Sequence, residues 1–302
     1  MSSDRAPLAE YLRARREQVQ PEDVGLPRDE GRRVPGLRRE EVATLAGISP
    51  EYYLRLEQGR DHQPSDQVLR ALARALDLDD DGLSYLLRLS RPWPLVRRFP
   101  APPAAVGEGV LRLLDQLAGT PAYVIDRNHD ILAANTLARA LAPGFLEPRT
   151  NLVVSTFEAA ARAIASPTTD EGELAEWRSG CEDLVAALRF SGDAGDPRFQ
   201  EVVGTLSLAH RSFRTIWARH EARAQSSGEV GAHIDPIGWV LFRWQRLEVP
   251  GASGHVLTTL FADPGTPAEA ALAYLSDRVA AQDALGVAPD RLISASSLRR
   301  EA

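Results

Sequence analysis

The sequence predicts two folded parts of different class: an all-α domain of five helices over residues 1–91 and an α+β domain over 106–285. Three observations predict this. Apolar residues recur at helical spacing, with capping signals between them, through residues 8–90. The run RPWPLVRRFPAPPAA at 91–105 holds five prolines and reads as a semi-rigid linker, assigned to 92–105. Past it the pattern changes, and short alternating stretches such as AYVID at 122–126 and IGWVLFRWQRLEV at 237–249 bring the period of two expected of strands.

Taken in order, the first helix runs over 8–19, with Leu8, Leu12 and the stem of Arg15 on one face. Residues 20–36 carry Pro21, Gly25, Pro27, Gly31, Pro35 and Gly36 and cannot form a long helix. The arginines of this loop (Arg28, Arg32, Arg33) make it either an arm along a nucleic-acid backbone or a plain connector. Residues 40–46 place Val42, Leu45 and Ala46 at helical spacing before Gly47 interrupts. Ser49 then suits an N-cap, with Pro50 at the first helical position, and Gly59 closes the next helix. Ser65 caps a fourth helix over 66–76, and Asp79–Asp80–Asp81 opens a fifth, acidic at its positive end. In the second part a helix over 109–117 precedes a hairpin (122–126, turn RNHD, 131–134) that runs into a helix at 135–141. Helical patterns fill 157–165, 174–188 and 197–224, strands follow at 237–249 and 256–262, and Pro267 opens a last helix. Residues 286–302 read as a weakly structured tail.

Composition excludes several classes. Hydrophobic residues at 44% and charged residues at 25% are globular values, and no apolar run approaches a membrane span. The opening MSSDRAPLAEYLRARRE lacks the apolar core of a signal peptide, so a soluble cytoplasmic protein is expected. Cys181 is the one cysteine; it can form no internal disulfide and reads as a small buried hydrophobe. The net charge of −7 divides unevenly, since residues 1–100 balance 17 Arg against 17 acids and the whole deficit lies beyond them. All basic residues are Arg, which can grip phosphate bidentately, and nucleic-acid affinity depends on local patches rather than overall charge.

Two short helices joined through Gly47 make a helix-turn-helix, whose second helix enters the DNA major groove. Its exposed face offers Pro50, Glu51, Tyr52 and Arg55 for base readout; Glu51 can accept from cytosine N4 and Arg55 can bond guanine or a phosphate. Arg38, Arg39 and Arg60 are the phosphate candidates. Tyr53 and Leu56 face the core, and Glu57 fits a cap or an ion pair inside the domain, because its charge would repel phosphate.

Val42-Ala43, Gly47-Ile48-Ser49 and RLEQGR at 55–60 resemble the helix-turn-helix of the phage-repressor-like (Xre) regulators. The longer run RRVPGLRREEVATLAG…YYLRLEQGR is similar to one branch, the MmyB-like transcription regulators, over about residues 8–91. Later, AYVIDRNHDILAANTLARAL, DPRF…SFRTIWARHEA, HIDPIGWVLFRW and ADPGT resemble that family's ligand-binding half. The segment after Asn151-Leu152 departs from its pattern until Trp177. The hairpin running into a helix resembles the start of a PAS-like sensor domain. The resemblance implies a one-component regulator of double-stranded DNA, a homodimer, whose second half senses an acyl chain or similar apolar molecule such as a fatty acid.

From the residues alone, Tyr123, Leu132, Trp177, Phe213, Trp217, Val240, Phe242 and Trp244 fit either a packed core or the wall of a cavity; the resemblance points to the cavity. Arg243 and His220 are the nearest polar partners for a ligand head, although His220 also reads as a satisfied structural histidine. The scattered histidines show no HExxH, GASGH at 251–255 is not a nucleophile elbow, and no Gly-rich phosphate loop occurs, so neither metal, catalytic residues nor a cofactor is expected. The rival reading makes the second half a dimerisation or protein-docking module without ligand.

Overall fold

The computed structural model describes residues 6–27, 34–60, 64–90, 105–167, 169–251 and 254–284. The arginines at 28, 32 and 33, nearly all of the proline-rich linker and the tail lie outside these residues. The chain divides into two compact units that do not follow chain order: 1–100 with 185–201 and 211–224, and 101–184 with 202–210 and 225–302.

The first unit holds five helices from its N-terminal stretch: α1 (Ala6–Gln18), α2 (Arg39–Ala46), α3 (Pro50–Glu57), α4 (Asp66–Ala75) and α5 (Asp80–Ser90). The capping expectations hold: Ser49 Oγ accepts from Tyr52 N at 3.1 Å and Ser65 Oγ from Val68 N at 3.3 Å. One core joins all five, built on Leu12, Leu37, Val42, Ala43, Tyr53, Leu56, Leu69, Leu72, Leu76 and Leu86. The stretch before α2 is pinned to the end of α1, where Leu37 N donates to Arg16 O at 2.8 Å and Arg16 Nη1 donates to Leu37 O at 3.1 Å.

Two later stretches complete this unit. Phe190 and Ala222 pack against the five-helix core. The Phe190 ring lies 6.2 Å from that of Tyr85, and the Arg88 guanidinium covers both. Arg189 is 8% exposed, with its guanidinium carbon 3.7 Å from the centre of the Trp217 ring. It donates from Nη2 to Trp217 O at 2.5 Å and faces His220 Nδ1 at 3.3 Å. Stacking an arginine on an aromatic face while its fork meets acceptors is the favourable way to bury that charge.

The second unit is an α+β domain on a five-stranded antiparallel sheet in the order β2-β1-β5-β4-β3. Its strands are β1 (Ala122–Ile125), β2 (Ile131–Ala134), β3 (Ser227–Ile234), β4 (Gly238–Glu248) and β5 (Val256–Phe261). Strand β3 is absent from the sequence reading for a physical reason. SGEVGAHI is poor in strand formers, and its glycines lie beneath tryptophans of β4. A Cβ on Gly228 would stand 2.5 Å from the Trp244 ring, and one on Gly231 would stand 2.1 Å from the Trp239 ring. Aromatic cover thus replaces the packing these residues lack.

Helix α6 (Glu108–Gln116) lays Leu114 on the outer sheet face against Ala122, Val124 and Leu257. On the inner face, α7 (Thr136–Leu141) and a C-terminal helix at Pro267–Ala284 enclose Tyr123, Ile125, Val240, Phe242 and Leu260. Covered on both faces, β1 is buried at every residue. Helix α8 (Leu152–Ala165) starts earlier than its apolar pattern suggests because Asn151 Oδ1 accepts from Val153 N and Val154 N. Helix α9 (Glu171–Ser191) is longer than expected, and the helical stretch from 197 breaks at His210 into α10 (Pro197–Ala209) and α11 (Arg211–Trp217). Among the described residues no helix is long and apolar enough to cross a membrane.

Gly36 carries a specific expectation. A Cβ there would meet Arg16 O at 2.3 Å and Glu17 O at 2.5 Å, both backbone atoms that cannot rotate away. Gly36→Ala therefore lowers stability by about 1–3 kcal/mol, read from denaturant unfolding.

Candidate nucleic-acid interface and ligand-binding face

The turn between α2 and α3 follows from two residues. Gly47 sits at φ 65°, the left-handed region where a side chain is strained, and lets Ile48 N reach back to Ala43 O at 3.0 Å. Ser49 and Pro50 then start α3. Val42, Ala43 and Ala46 of α2 are buried in the same core as Tyr53 and Leu56 of α3, so the two helices cross closely on small residues.

This packing fixes what α3 shows to solvent. Pro50, Glu51 and Arg55 are exposed and Tyr52 is half-buried. Glu51 Oε1 lies 3.5 Å from Arg55 Nη1, and the Arg55 guanidinium sits 5.6 Å from the Tyr52 ring centre. Arg38, Arg39 and Arg60 are exposed as well. Arg38 occupies the N-cap position of α2, where its backbone N–H donates to Glu41 Oε2 at 2.6 Å.

Glu57 anchors the arrangement. It is 1% exposed, and its two carboxylate oxygens accept from Arg16 Nε and Arg39 Nε, both at 2.6 Å. Its backbone carbonyl accepts from Arg13 Nη2 at 3.2 Å. Burial opposes ionisation of this carboxyl, but the hydrogen bonds and charges of Arg16 and Arg39 outweigh it and hold the group below the usual carboxylate range. The carboxylate thus locks α1, α2 and α3 together and orients Arg39, whose side chain stays 49% exposed. Of the two roles the sequence allows Glu57, cap or internal ion pair, the structure shows the ion pair, and the inward stem on α1 is Arg16 rather than Arg15. The signal was there: Arg16 follows Leu12 by four residues, on the buried stripe of α1.

The eight residues proposed for a ligand wall divide among separate places. Tyr123, Val240 and Phe242 are buried together on the inner sheet face, and Trp244 packs half-buried against them. Trp177 stacks at 6.3 Å on Phe145, which borders that cluster. Leu132 lies with the outer-face cluster under α6. Phe213 and Trp217, expected to face β4, stack on each other at 5.4 Å in the first unit, whereas β4 belongs to the second. The two expected head-group partners lie elsewhere in the two units. Arg243 stands on the opposite side of β4 beside Glu229 and Asp263, and His220 belongs to the first unit. The alternation of β4 explains the first case, since Arg243 lies between the inward Phe242 and Trp244. A cleft of about 370 Å³ in the first unit is lined by Glu10, Arg13, Glu17, Gln18 and His220, a polar wall unsuited to an acyl chain. No group of three or more potential metal ligands occurs among the described residues.

Two family models match the chain. Residues 7–86 match a helix-turn-helix domain, and residues 106–275 match the MmyB-like transcription regulator ligand binding domain. The chain belongs to the MmyB-like transcription regulators. No curated protein aligns with it at a level that marks a relative. This MmyB-like regulator is a DNA-binding transcription regulator with a ligand-binding domain. The span matched to that ligand-binding domain also contains 185–201 and 211–224, the two stretches that complete the first unit.

Removing the anchor has a defined cost. Glu57→Ala leaves the buried Arg16 without its carboxylate and should destabilise the protein by about 3–5 kcal/mol, measured by denaturant unfolding. Because the folded-state pKa is depressed, the contribution is present above the unfolded value of about 4.3 and is lost as pH falls through the lower folded value. The wild-type protein should therefore lose stability on acidification below that point, and the Glu57→Ala protein should lack this component.

Proposed function

We propose that this regulator is a one-component switch in which an apolar small molecule carrying an acyl chain, such as a fatty acid, binds the inner sheet face and alters DNA affinity. The observation that carries the DNA half is the division of α3: Tyr53, Leu56 and Glu57 are buried, while Glu51, Tyr52 and Arg55 lie toward solvent. In this reading Glu51, Tyr52 and Arg55 read bases, Pro50 abuts the groove, and Arg38, Arg39 and Arg60 hold phosphates. Arg39 is the phosphate contact best prepared, because Glu57 fixes it through Nε. Helix-turn-helix proteins of this kind bind two-fold sites as dimers, and a homodimer is part of the reading.

Glu51→Ala should weaken binding to the preferred site by about 1–3 kcal/mol while sparing scrambled duplexes. Arg39→Ala should weaken both alike and flatten the salt dependence by about one unit. Titrations on both duplexes at several salt concentrations, with native mass spectrometry to count protomers per site, test the two roles and the dimer. Unchanged sequence preference in Glu51→Ala would remove it from the reading set.

The ligand half rests on the apolar inner face, where Tyr123, Val240, Phe242 and Leu260 meet the half-buried ring of Trp244. Burying an acyl chain there would contribute about 0.8 kcal/mol per methylene. A ligand at a hundredfold excess over its dissociation constant would stabilise the fold by about 2.7 kcal/mol. A thermal-shift series over fatty-acid chain lengths, with native mass spectrometry of the purified protein, tests this. If no chain length raises the melting temperature and nothing co-purifies, the ligand reading fails. A second reading, in which this half serves only to join two copies of the chain, draws on the outer sheet face. Trp239, Leu241 and Phe261 are exposed there beside the mixed charges of Glu229, Arg243 and Asp263, a self-complementary pattern for an isologous contact.

A further inference from the structure

Within the inner sheet face one row of side chains is polar. Arg246 on β4 pairs across the sheet with Thr258 on β5, and Thr258 pairs on its other side with Tyr123 on β1. Directly opposed residues of neighbouring strands point to one face, so these three form a transverse row on the side of Phe242 and Leu260. The next row on one side is Trp244 and Leu260, and on the other side Val256 and Ile125 stand beside Glu248. A cation and a hydroxyl therefore stand among the apolar residues of this face, with the exposed Glu248 at the end of the next row.

Each group keeps a buried polar atom unpaired. Thr258 is 1% exposed, and its Oγ1 has no hydrogen-bond partner. Arg246 Nε is buried and also lacks one. Nη1 of Arg246 donates to Gln225 Oε1 at 3.1 Å, and the guanidinium stacks 4.9 Å from the Trp244 ring centre. Among the described residues Arg246 makes no ion pair with a carboxylate. His129, 2% exposed, stands close enough to feel this charge; burial, with the Arg246 charge added, lowers its pKa to about 3. Its ring is thus neutral at physiological pH and sets no second positive charge against the arginine. A buried donor left unpaired is costly, and a guanidinium whose Nε is still uncommitted can meet an anion.

We propose that Arg246 and Thr258 form the head-group site for a carboxylate on the ligand of the inner sheet face, with the guanidinium supplying the charge, the Thr258 hydroxyl a second donor, and the neighbouring apolar rows the seat for the chain. The inference rests on the ligand-binding reading above and adds the chemistry of the polar end. It replaces Arg243, which stands on the opposite face of β4, and His220, which belongs to the first unit.

The test uses the full-length protein with three probes of one chain length below their micellar concentrations: dodecanoate, methyl dodecanoate and dodecylamine. Binding is followed by thermal shift and by titration calorimetry. Dodecanoate should bind about tenfold or more tightly than the methyl ester, the size expected of a charge-assisted pair, and the amine should bind most weakly. Arg246→Gln should abolish the preference for acid over ester while still binding the ester. Thr258→Val, which keeps the side-chain shape and removes only the hydroxyl, should reduce that preference severalfold and decides the matter alone if Arg246→Gln does not fold. Equal affinity for acid and ester in the wild type, or a full acid preference surviving in Thr258→Val and Arg246→Gln, overturns the head-group site and leaves the ligand reading standing. If none of the three probes binds, both fall together.

Discussion

The carboxylate of Glu57 is the constraint on which the DNA-binding face depends. Three helices already joined by an apolar core must meet at fixed angles, and a buried anion between Arg16 and Arg39 adds directional bonds that hydrophobic packing does not supply. A buried ion pair is a weak source of net stability, because desolvation offsets most of the Coulomb gain. Its use here is positional. Arg39 keeps half its side-chain surface in solvent, so a structural bond also presets the direction of an exposed cation.

The second half obeys a different logic. Its sheet is covered on both faces over β1 and β5 but becomes one-sided towards β3, where glycines under tryptophan rings take the place of a packed layer. The domain is thus most constrained at its centre, and that is where Thr258 and Arg246 stand. A polar row in the best-packed part of a sheet disagrees with its surroundings, and such local conflicts in an otherwise consistent fold are expected at functional places.

Much of this was legible in the residues and some was not. The first five helices could be read because each carries its own punctuation: Ser49 and Ser65 as caps, Gly47 as a left-handed stop, Pro50 at a first helical position. Strand β3 could not, because its strand character comes from tryptophans on β4 rather than from its own side chains. The wall residues were legible as apolar but not as neighbours. Tyr123, Val240 and Phe242 come together through β-pairing, whereas Phe213 and Trp217 follow a helix into the other unit, and periodicity carries no information about which unit a helix joins. Arg246 carries no signal of its own in the sequence; only the register that sets it opposite Thr258 makes it notable.

The first unit is not finished when its own N-terminal stretch has been made. Tyr85 and Arg88 receive Phe190 and Arg189 from α9, and Arg189 in turn lies on Trp217. Domains generally fold as units during synthesis, N-terminal first. Here the amino-terminal helices can collapse early but must wait for the ribosome to deliver residues well into the second half before their surface closes. A nascent or prematurely terminated chain would carry the helix-turn-helix on an incompletely sealed body and fall to proteolysis sooner than the finished protein. Regulator molecules that reach DNA would then be drawn from chains that already possess the ligand-binding domain.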